Sequence, residues 1–383
     1  MCIVTDAFVS LIVRLYNFGM QASKRPRQIV PLCLWALLLC AACDTAPPQP
    51  QPTVLPAAGD AAIQVFFTRP QALDVPGRRT DGVDKYVIAD IENAATSIDI
   101  AAYDINLQSV TDALLAASLR GVQVRVVTDS DNLARSPVAQ LRSVGITVTS
   151  DERSALMHDK FIVVDGTIMF TGSWNPTDND TWRNNNNLLR ITAPPIVQNF
   201  VVEFAEMLQP AGFGPRSPAT TPFASTTVEG VLVETYFSPE DGVAAHILAV
   251  LRGAQHSVYF MAFSFTRQDF ADVLLERASA GVAVRGVFED RLLSGSGRKV
   301  FERLQSAGVP VLADGNRYTM HHKVIVIDAT TVVTGSYNFS AAAEDSNDEN
   351  VVILHGPALA GLFETEFDEV WALAALAARA AVP

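Results

Sequence analysis

The chain has 383 residues, of which 49% are hydrophobic and 18% are charged. This length suits two ordinary domains, and the composition excludes a disordered or collagen-like chain. There are 28 Lys and Arg residues against 41 Asp and Glu residues, a net charge of −13. Such an acidic surface repels polyanions at long range, which disfavours nucleic acid as a partner without excluding a local basic pocket. Only one segment, near the N-terminus, is apolar enough to enter a membrane, which excludes a protein with several spans.

The first 43 residues have the pattern of an export signal. Basic residues at 24–27 precede an apolar run at 29–40, and small residues then lead to Cys43. This order is typical of a secretory signal peptide. Residues 40–43 are similar to a bacterial lipobox, which predicts cleavage before Cys43 and acylation of its thiol. A plain membrane anchor is the alternative, although the run is short for a span.

We therefore predict export in a bacterium, as a membrane-anchored lipoprotein or as a periplasmic or secreted protein. Met20 is an alternative start that would give a signal of more usual length. After the signal, residues 44–61 are proline-rich and predict an extended linker.

The rest of the chain repeats itself at the scale of a domain. Residues 97–103 match 257–263, and residues 121–125 match 281–285, both at an offset of 160. A period of this length indicates a duplicated domain rather than a solenoid. The predicted boundaries are a first domain at 62–210, a linker at 211–229 and a second domain at 230–383.

Each half has the same predicted elements in chain order. A buried strand at 98–103 or 258–263 leads into an amphipathic helix that ends at a glycine. A strand at 122–127 or 282–288 follows, and then a short helix and a further strand. Strands that alternate with helices pair in parallel and carry helices on the sheet faces. The predicted fold class is α/β, with two homologous domains whose mixed central sheets are flanked by helices.

One motif, H-x-K-x4-D-x6-G-S-x-N, occurs once in each half at an offset of 163. Its positions are His158, Lys160, Asp165, Ser173 and Asn175 in the first half and His321, Lys323, Asp328, Ser336 and Asn338 in the second. A histidine and a lysine two residues apart on a strand point to the same face. Two such pairs at the interface of the halves would surround one phosphate. Lysines and amides would donate to its oxygens, while one histidine attacks phosphorus and the other protonates the leaving oxygen.

Through this motif the chain resembles the phospholipase D superfamily, and the resemblance extends over residues 62–380. It implies a phosphodiesterase with one active site shared by the two domains and a phosphohistidine intermediate. It also implies that His158 is the nucleophile and His321 the general acid and base. The other motif residues receive supporting roles: phosphate binding by Lys160, Lys323, Asn175 and Asn338, orientation of the histidines by Asp165 and Asp328, and loop support with a candidate phosphate donor at Ser173 and Ser336.

The chain departs from the family pattern at one position. Members often have a glutamate eleven residues after the motif asparagine, where it steadies a histidine. The second half has Glu349 there, but the first half has Asn186. An amide does not stabilise a cationic ring as a carboxylate does, so the two histidines should differ in pKa. We expect Glu349→Ala and Asn186→Ala to lower the rate unequally.

The substrate stays open at this stage. The leading interpretation is a phospholipase D that cleaves glycerophospholipids to phosphatidic acid and an alcohol, by hydrolysis or transphosphatidylation at a membrane surface. The alternatives are a metal-independent nuclease and a phosphatidyl transferase that resembles cardiolipin synthase. We predict no cofactor and no metal. A monomer should suffice, since one chain carries both motifs.

Overall fold

The computed structural model describes residues 61–70, 74–209 and 212–380. The predicted signal peptide, its lipidation site Cys43 and residues 44–60 of the predicted linker lie outside these ranges. Within the described ranges, no helix combines the length and the apolar character that a membrane crossing requires.

The first half forms a seven-stranded mixed sheet. Its strands are β1 (Ile63–Phe67), β2 (Ser97–Ala102), β3 (Gln123–Thr128), β4 (Thr147–Ser150), β5 (Lys160–Val164), β6 (Ile168–Gly172) and β7 (Asn187–Ile191). They lie side by side in the order β1-β7-β6-β5-β2-β3-β4. β2, β3 and β4 are parallel, as expected where helices connect strands, while β2, β5, β6, β7 and β1 pair antiparallel in that sequence.

The second half repeats this sheet and adds one strand. Its strands are β8 (Ser225–Val228), β9 (Val231–Ser238), β10 (Ser257–Ala262), β11 (Ala283–Phe288), β12 (Val311–Ala313), β13 (Lys323–Ile327), β14 (Thr331–Gly335) and β15 (Glu349–His355). Their order is β12-β11-β10-β13-β14-β15-β9-β8. The predicted linker at 211–229 is wrong at its end, because β8 lies inside it and forms a hairpin with β9.

Helices cover the faces of both sheets. They are α1 (Asp84–Asn93), α2 (Gln108–Leu119), α3 (Ser136–Ser143), α4 (Asp178–Trp182), α5 (Pro194–Met207), α6 (Val243–Gly253), α7 (Gln268–Ser279), α8 (Gly295–Ser306), α9 (Ala341–Asp345) and α10 (Pro357–Ala380). One core cluster draws on both halves, and it includes Phe161 of β5, Phe200 of α5, Phe237 of β9 and Phe363 of α10. Two further clusters lie within the separate halves. The predicted α/β class with two mixed, helix-flanked sheets is confirmed.

Reciprocal hydrogen bonds join the halves behind the motif strands. Asn350 of the second half accepts from Thr171 at 2.7 Å and donates to Asp159 at 2.6 Å, both in the first half. Asn187, the equivalent residue of the first half, accepts from Thr334 at 2.9 Å and lies 3.1 Å from Nδ1 of His322. Buried polar groups must be paired, so these contacts fix the register of one half against the other.

Candidate active site

The motif histidines lie two residues before the central strands β5 and β13, and the opposite half anchors each of them. The backbone N–H of His158 donates to the carbonyl of Asp348 at 2.9 Å, and that of His321 donates to Asn185 at 3.0 Å. Only 6% of His158 and 8% of His321 are exposed. The interface of the halves therefore contains one nearly enclosed centre with two imidazole rings.

Each ring also meets an acceptor from the opposite half. Nδ1 of His158 lies 2.6 Å from Oε2 of Glu349, and Nδ1 of His321 lies 2.8 Å from Oδ1 of Asn186. The amide of Asn186 is oriented because its Nδ2 donates to the carbonyl of Asp180 at 3.2 Å. An amide oxygen only accepts, so Nδ1 of His321 carries a proton and Nε2 keeps its lone pair. Glu349 favours the same tautomer in His158 when its carboxyl group is ionised.

The motif lysines are buried beside these rings. Nζ of Lys160 donates to the carbonyl of His158 at 2.6 Å, and Nζ of Lys323 donates to that of His321 at 2.8 Å. Aromatic rings lie below the ammonium groups, with Tyr103 5.6 Å from Lys160. Phe263 lies 4.6 Å from Lys323. An ammonium group has three donors, so each lysine has donors left for a phosphate oxygen.

Burial dominates the electrostatics of this centre. It lowers the pKa of Lys160 to about 8 and holds the pKa of Lys323 well below its usual range. It also lowers the pKa of His158 and His321, and the two ammonium groups lower these pKa values further. Both rings are therefore neutral at neutral pH without substrate. A bound phosphate anion would raise all four pKa values, because it favours the charged form of each group.

The motif asparagines flank the centre. Asn175 is 5% exposed, and its Nδ2 donates to Asp180 at 2.6 Å. Oδ1 of Asn175 and Oδ1 of Asn338 are buried and have no hydrogen-bond partner among the described residues. These two oxygens are among the buried polar atoms that lack a hydrogen-bond partner in the described part of the chain.

The motif serines lie in the predicted supporting position, and their contact with phosphate stays a prediction. Ser173 is fully buried, and its hydroxyl donates to Oδ1 of Asn186 at 2.9 Å. Ser336 is also fully buried, accepts from the N–H of Asn350 at 2.9 Å, and lowers the pKa of Glu349 as a hydrogen-bond partner. Each serine thus holds a residue that contacts a histidine.

The prediction that Asp165 and Asp328 orient the histidines is wrong. Asp165 follows the far end of β5, and its carboxylate accepts from the backbone N–H groups of residues 95–97 at 2.7–2.9 Å. Asp328 does the same for residues 255–257 at 2.6–2.8 Å. A five-residue strand is about 17 Å long, so both carboxylates are remote from the histidines.

The motif glycines are required by a close approach of two strands. Gly172 and Gly335 have φ values of +143° and +147°. A Cβ atom at either position would overlap the carbonyl of Asn187 or Asn350. The strands that approach the glycines are β7, which follows Asn186, and β15, which begins at Glu349. The glycines therefore allow Asn186 and Glu349 to reach the histidines.

Sequence reasoning missed three residues of the site. Tyr103 and Phe263 lie at equivalent positions and place their rings 5.3 Å and 4.6 Å from those of His158 and His321. Asp180 lies 3.6 Å from Nδ1 of His321 through Oδ1. A comparison of the two halves at the offset of 163 could have identified Asp180. It aligns with Ala343, so the halves differ there by a charged residue close to the shared motif.

Two mixed sheets that each bring a His-x-Lys pair to one centre define a class of duplicated α/β proteins with a two-histidine site. The family described as "Cardiolipin synthase, PLD-like domain" matches residues 87–208 and 247–371. These ranges make up more than half of the chain. The protein thus belongs to the phospholipase D superfamily, as a member with two phospholipase D-like domains.

Several known proteins are similar to this chain. The mitochondrial cardiolipin hydrolase of Chlamydomonas reinhardtii is 28% identical over 177 residues, which cover 40% of this chain and 79% of that protein. A phospholipase D of Rickettsia typhi is 34% identical over 128 residues, 33% of this chain and 62% of that protein, so the chain spans less than two thirds of that relative. The crystal structure of phosphatidylserine synthase from Haemophilus influenzae has the same fold. It covers 77% of this chain and 86% of that one, with a TM-score of 0.57 and 12% identity.

Proposed function

We propose that the protein is a phosphodiesterase that cleaves glycerophospholipids to phosphatidic acid and an alcohol. The observation that carries this proposal is the pairing of two histidines, each with Nδ1 held by an acceptor, with two buried lysines in one centre. The relatives named cardiolipin hydrolase and phospholipase D support a phospholipid as the substrate. The net charge of −13 disfavours the nucleic-acid alternative.

In the first step, Nε2 of His158 forms a bond to phosphorus while the bond from phosphorus to the alcohol oxygen breaks. His321 takes up a proton at Nε2 when the substrate phosphate binds, and it gives this proton to that oxygen. The ring of His158 becomes cationic, and the carboxylate of Glu349 at 2.6 Å stabilises that charge. This contact favours His158 as the nucleophile. Lys160 and Lys323 donate to the non-bridging oxygens, where charge accumulates.

In the second step, water replaces the alcohol. Nε2 of His321 takes a proton from the water as its oxygen bonds to phosphorus, and the bond from His158 to phosphorus breaks. Phosphatidic acid is released and both histidines return to their starting forms. A second alcohol in place of water would give a phosphatidyl alcohol by the same route.

The test uses the full chain in detergent, mixed with phosphatidylcholine vesicles, 1-butanol and a chelator. We expect phosphatidylbutanol from the wild type and none from His158→Ala or His321→Ala. Duplex DNA is incubated in parallel. DNA degradation without any lipid product would replace this proposal with the nuclease alternative, and cleavage of neither substrate would remove both.

We also propose that the protein is exported and acylated at Cys43, because the pattern at 24–43 is that of a lipoprotein signal. In a bacterial host, the wild type should incorporate labelled palmitate and Cys43→Ser should not. Equal labelling of both proteins would contradict the assignment of Cys43.

A further inference from the structure

The two halves differ at one buried position beside the motif. Asp180 lies in the one-turn helix α4, and the equivalent position of α9 is occupied by Ala343. Asp180 is 4% exposed and Ala343 is fully buried. The same short helix therefore presents a carboxylate in one half and a methyl group in the other, next to a motif that is otherwise duplicated.

The carboxylate of Asp180 is held ionised without a lysine or arginine partner among the described residues. Its Oδ2 accepts from the backbone N–H and the Nδ2 of Asn175 at 2.9 and 2.6 Å, and its Oδ1 accepts from Asn184 at 2.7 Å. Burial alone would raise the pKa of Asp180, but His321 and these donors outweigh it and lower the pKa. The group within ion-pair distance that becomes cationic on protonation is the ring of His321, at 3.6 Å.

His321 needs such a partner more than His158 does. It meets the amide of Asn186, which cannot become an anion, whereas His158 meets the carboxyl group of Glu349, which can. The charged and titratable groups that face His321 are Lys323, Asp180, Lys160 and His158. The lysines and the second ring oppose a proton on His321, so Asp180 is the negative charge in this set.

We propose that Asp180 is a positioning residue for His321: it supplies the negative charge that Asn186 lacks and so allows His321 to carry the proton that the leaving oxygen receives. This inference rests on the proposed function. The proton moves from Nε2 of His321 to the alcohol oxygen, and a water proton replaces it in the second step. Asp180 keeps its charge throughout and does not touch the substrate.

The first test compares two substrates that differ in their need for an acid. Phosphatidylcholine releases an alcohol that must be protonated, whereas bis(p-nitrophenyl) phosphate releases a phenolate that leaves without a proton. We expect Asp180→Asn to lower kcat for the lipid by about 10² to 10⁴ fold, the usual contribution of proton transfer by a general acid. For the activated diester the loss should be less than about tenfold, since proton transfer contributes little there. Equal losses on both substrates would overturn the proposal.

A swap variant separates charge from local structure. Asp180→Ala combined with Asn186→Glu gives the first half the alanine and glutamate that the second half has at 343 and 349. We expect this double variant to recover most of the lipid activity that Asp180→Ala loses. Asn338→Ala is the matched control, because it removes the equivalent motif amide of the second half, which has no hydrogen bond to Asp180 among the described residues, and should slow both substrates equally. Failure of the swap in a protein with wild-type Tm would contradict the proposal.

A spectroscopic measurement keeps this inference distinct from the proposed function. The side-chain ¹⁵N shifts of His321, assigned by loss of signal in His321→Ala, report its protonation without any substrate. In Asp180→Asn, His321 should lose its proton at lower pH than in the wild type. An unchanged titration would overturn the role of Asp180. If the wild type cleaves neither diester but the titration shifts, the reaction is wrong while the link between Asp180 and His321 holds.

Discussion

Single residues make the two histidines unequal. His158 meets a glutamate of the second half, while His321 meets an asparagine of the first half and, at 3.6 Å, an aspartate. Burial raises the pKa of Glu349 to about 8 in the free protein. A cation on the ring of His158 would restore the ionised form of this carboxyl group, so the pair responds to phosphorylation of the histidine.

We predict that Glu349→Gln lowers kcat by about 10 to 100 fold, the usual effect of losing a residue that orients and polarises a catalytic group. The change converts the second-half acceptor into the kind of amide that the first half has. KM should change little, because the lysines that bind phosphate are untouched. Steady-state kinetics on phosphatidylcholine vesicles would check this. A loss confined to KM would place Glu349 in substrate binding instead.

The sequence allowed most of the motif to be predicted, but not its contacts. The spacing of His158 and Lys160 on a strand put both on one face, and the repeat put a second pair in the same site. Spacing within one half carries no information on which acceptor of the other half meets each ring. The contact between Glu349 and His158 could therefore be identified only from the structure, in which the start of β15 lies next to the residues that precede β5. Asp180 was missed because its role depends on a contact across the interface.

At the scale of elements, the motif aspartates stabilise a turn and take no part in the catalytic site. Asp165 begins the turn after β5 with a φ of 51° and binds the backbone just before β2. Burial acts to raise the pKa of Asp165, but the three backbone N–H donors outweigh it and hold the pKa at about 2. The stability from this contact is present above the pKa of the unfolded chain and is lost as the pH falls from about 4 to about 2.

We predict that Asp165→Asn lowers the free energy of unfolding by about 1–2 kcal/mol at neutral pH, the range for losing charge-assisted hydrogen bonds. Asparagine tolerates the positive φ, so backbone strain does not confuse the result. Activity per folded molecule should stay close to wild type. Urea denaturation gives the stability, and Asp112→Ala on the exposed face of α2 is the control. A large loss of kcat with unchanged stability would instead show that Asp165 has a role in catalysis.

The elements themselves followed closely from hydrophobic pattern. The strand predicted at 98–103 is Ser97–Ala102, and the one predicted at 282–288 is Ala283–Phe288. Their apolar runs are buried on both faces and leave little choice of structure. β8 was assigned to a linker because its short polar sequence gives a weak strand signal, and it becomes a strand through pairing with β9.

At the scale of the whole molecule, acidic side chains from both halves converge near the interface. Glu203 of α5 is 5% exposed, and its pKa is raised well above the usual range by burial and by Glu240, Asp159, Glu206 and Asp348. An acid with a raised pKa in the folded state keeps its proton while the unfolded chain releases it. Stability therefore falls as the pH rises from about 5 toward 8.

We predict that Glu203→Gln raises the Tm at pH 8 by about 2–4 °C, equivalent to about 1 kcal/mol in a protein of this size, and has little effect at pH 5. The amide keeps the shape of the side chain and removes the charge that pH 8 would favour. Calorimetry at the two pH values checks this, with Glu302→Gln on the exposed surface as the control. The same gain at both pH values would show that packing rather than charge is responsible.

The position of the site between the halves leads to a prediction about assembly. His158 and His321, with their acceptors Glu349 and Asn186, all come from one chain, and the buried contacts of Asn187 and Asn350 hold the halves together. We predict that an equal mixture of His158→Ala and His321→Ala proteins has no more activity than either alone. Exchange of halves between chains would instead assemble one intact site, carrying both wild-type histidines, in some dimers. Because breaking these buried contacts leaves several polar groups unpaired, such exchange should be negligible without denaturant.

Refolding the mixture from urea is the decisive comparison. Activity that is recovered only after refolding would show that this interface blocks the exchange of halves. Activity on simple mixing would contradict a site built within one chain.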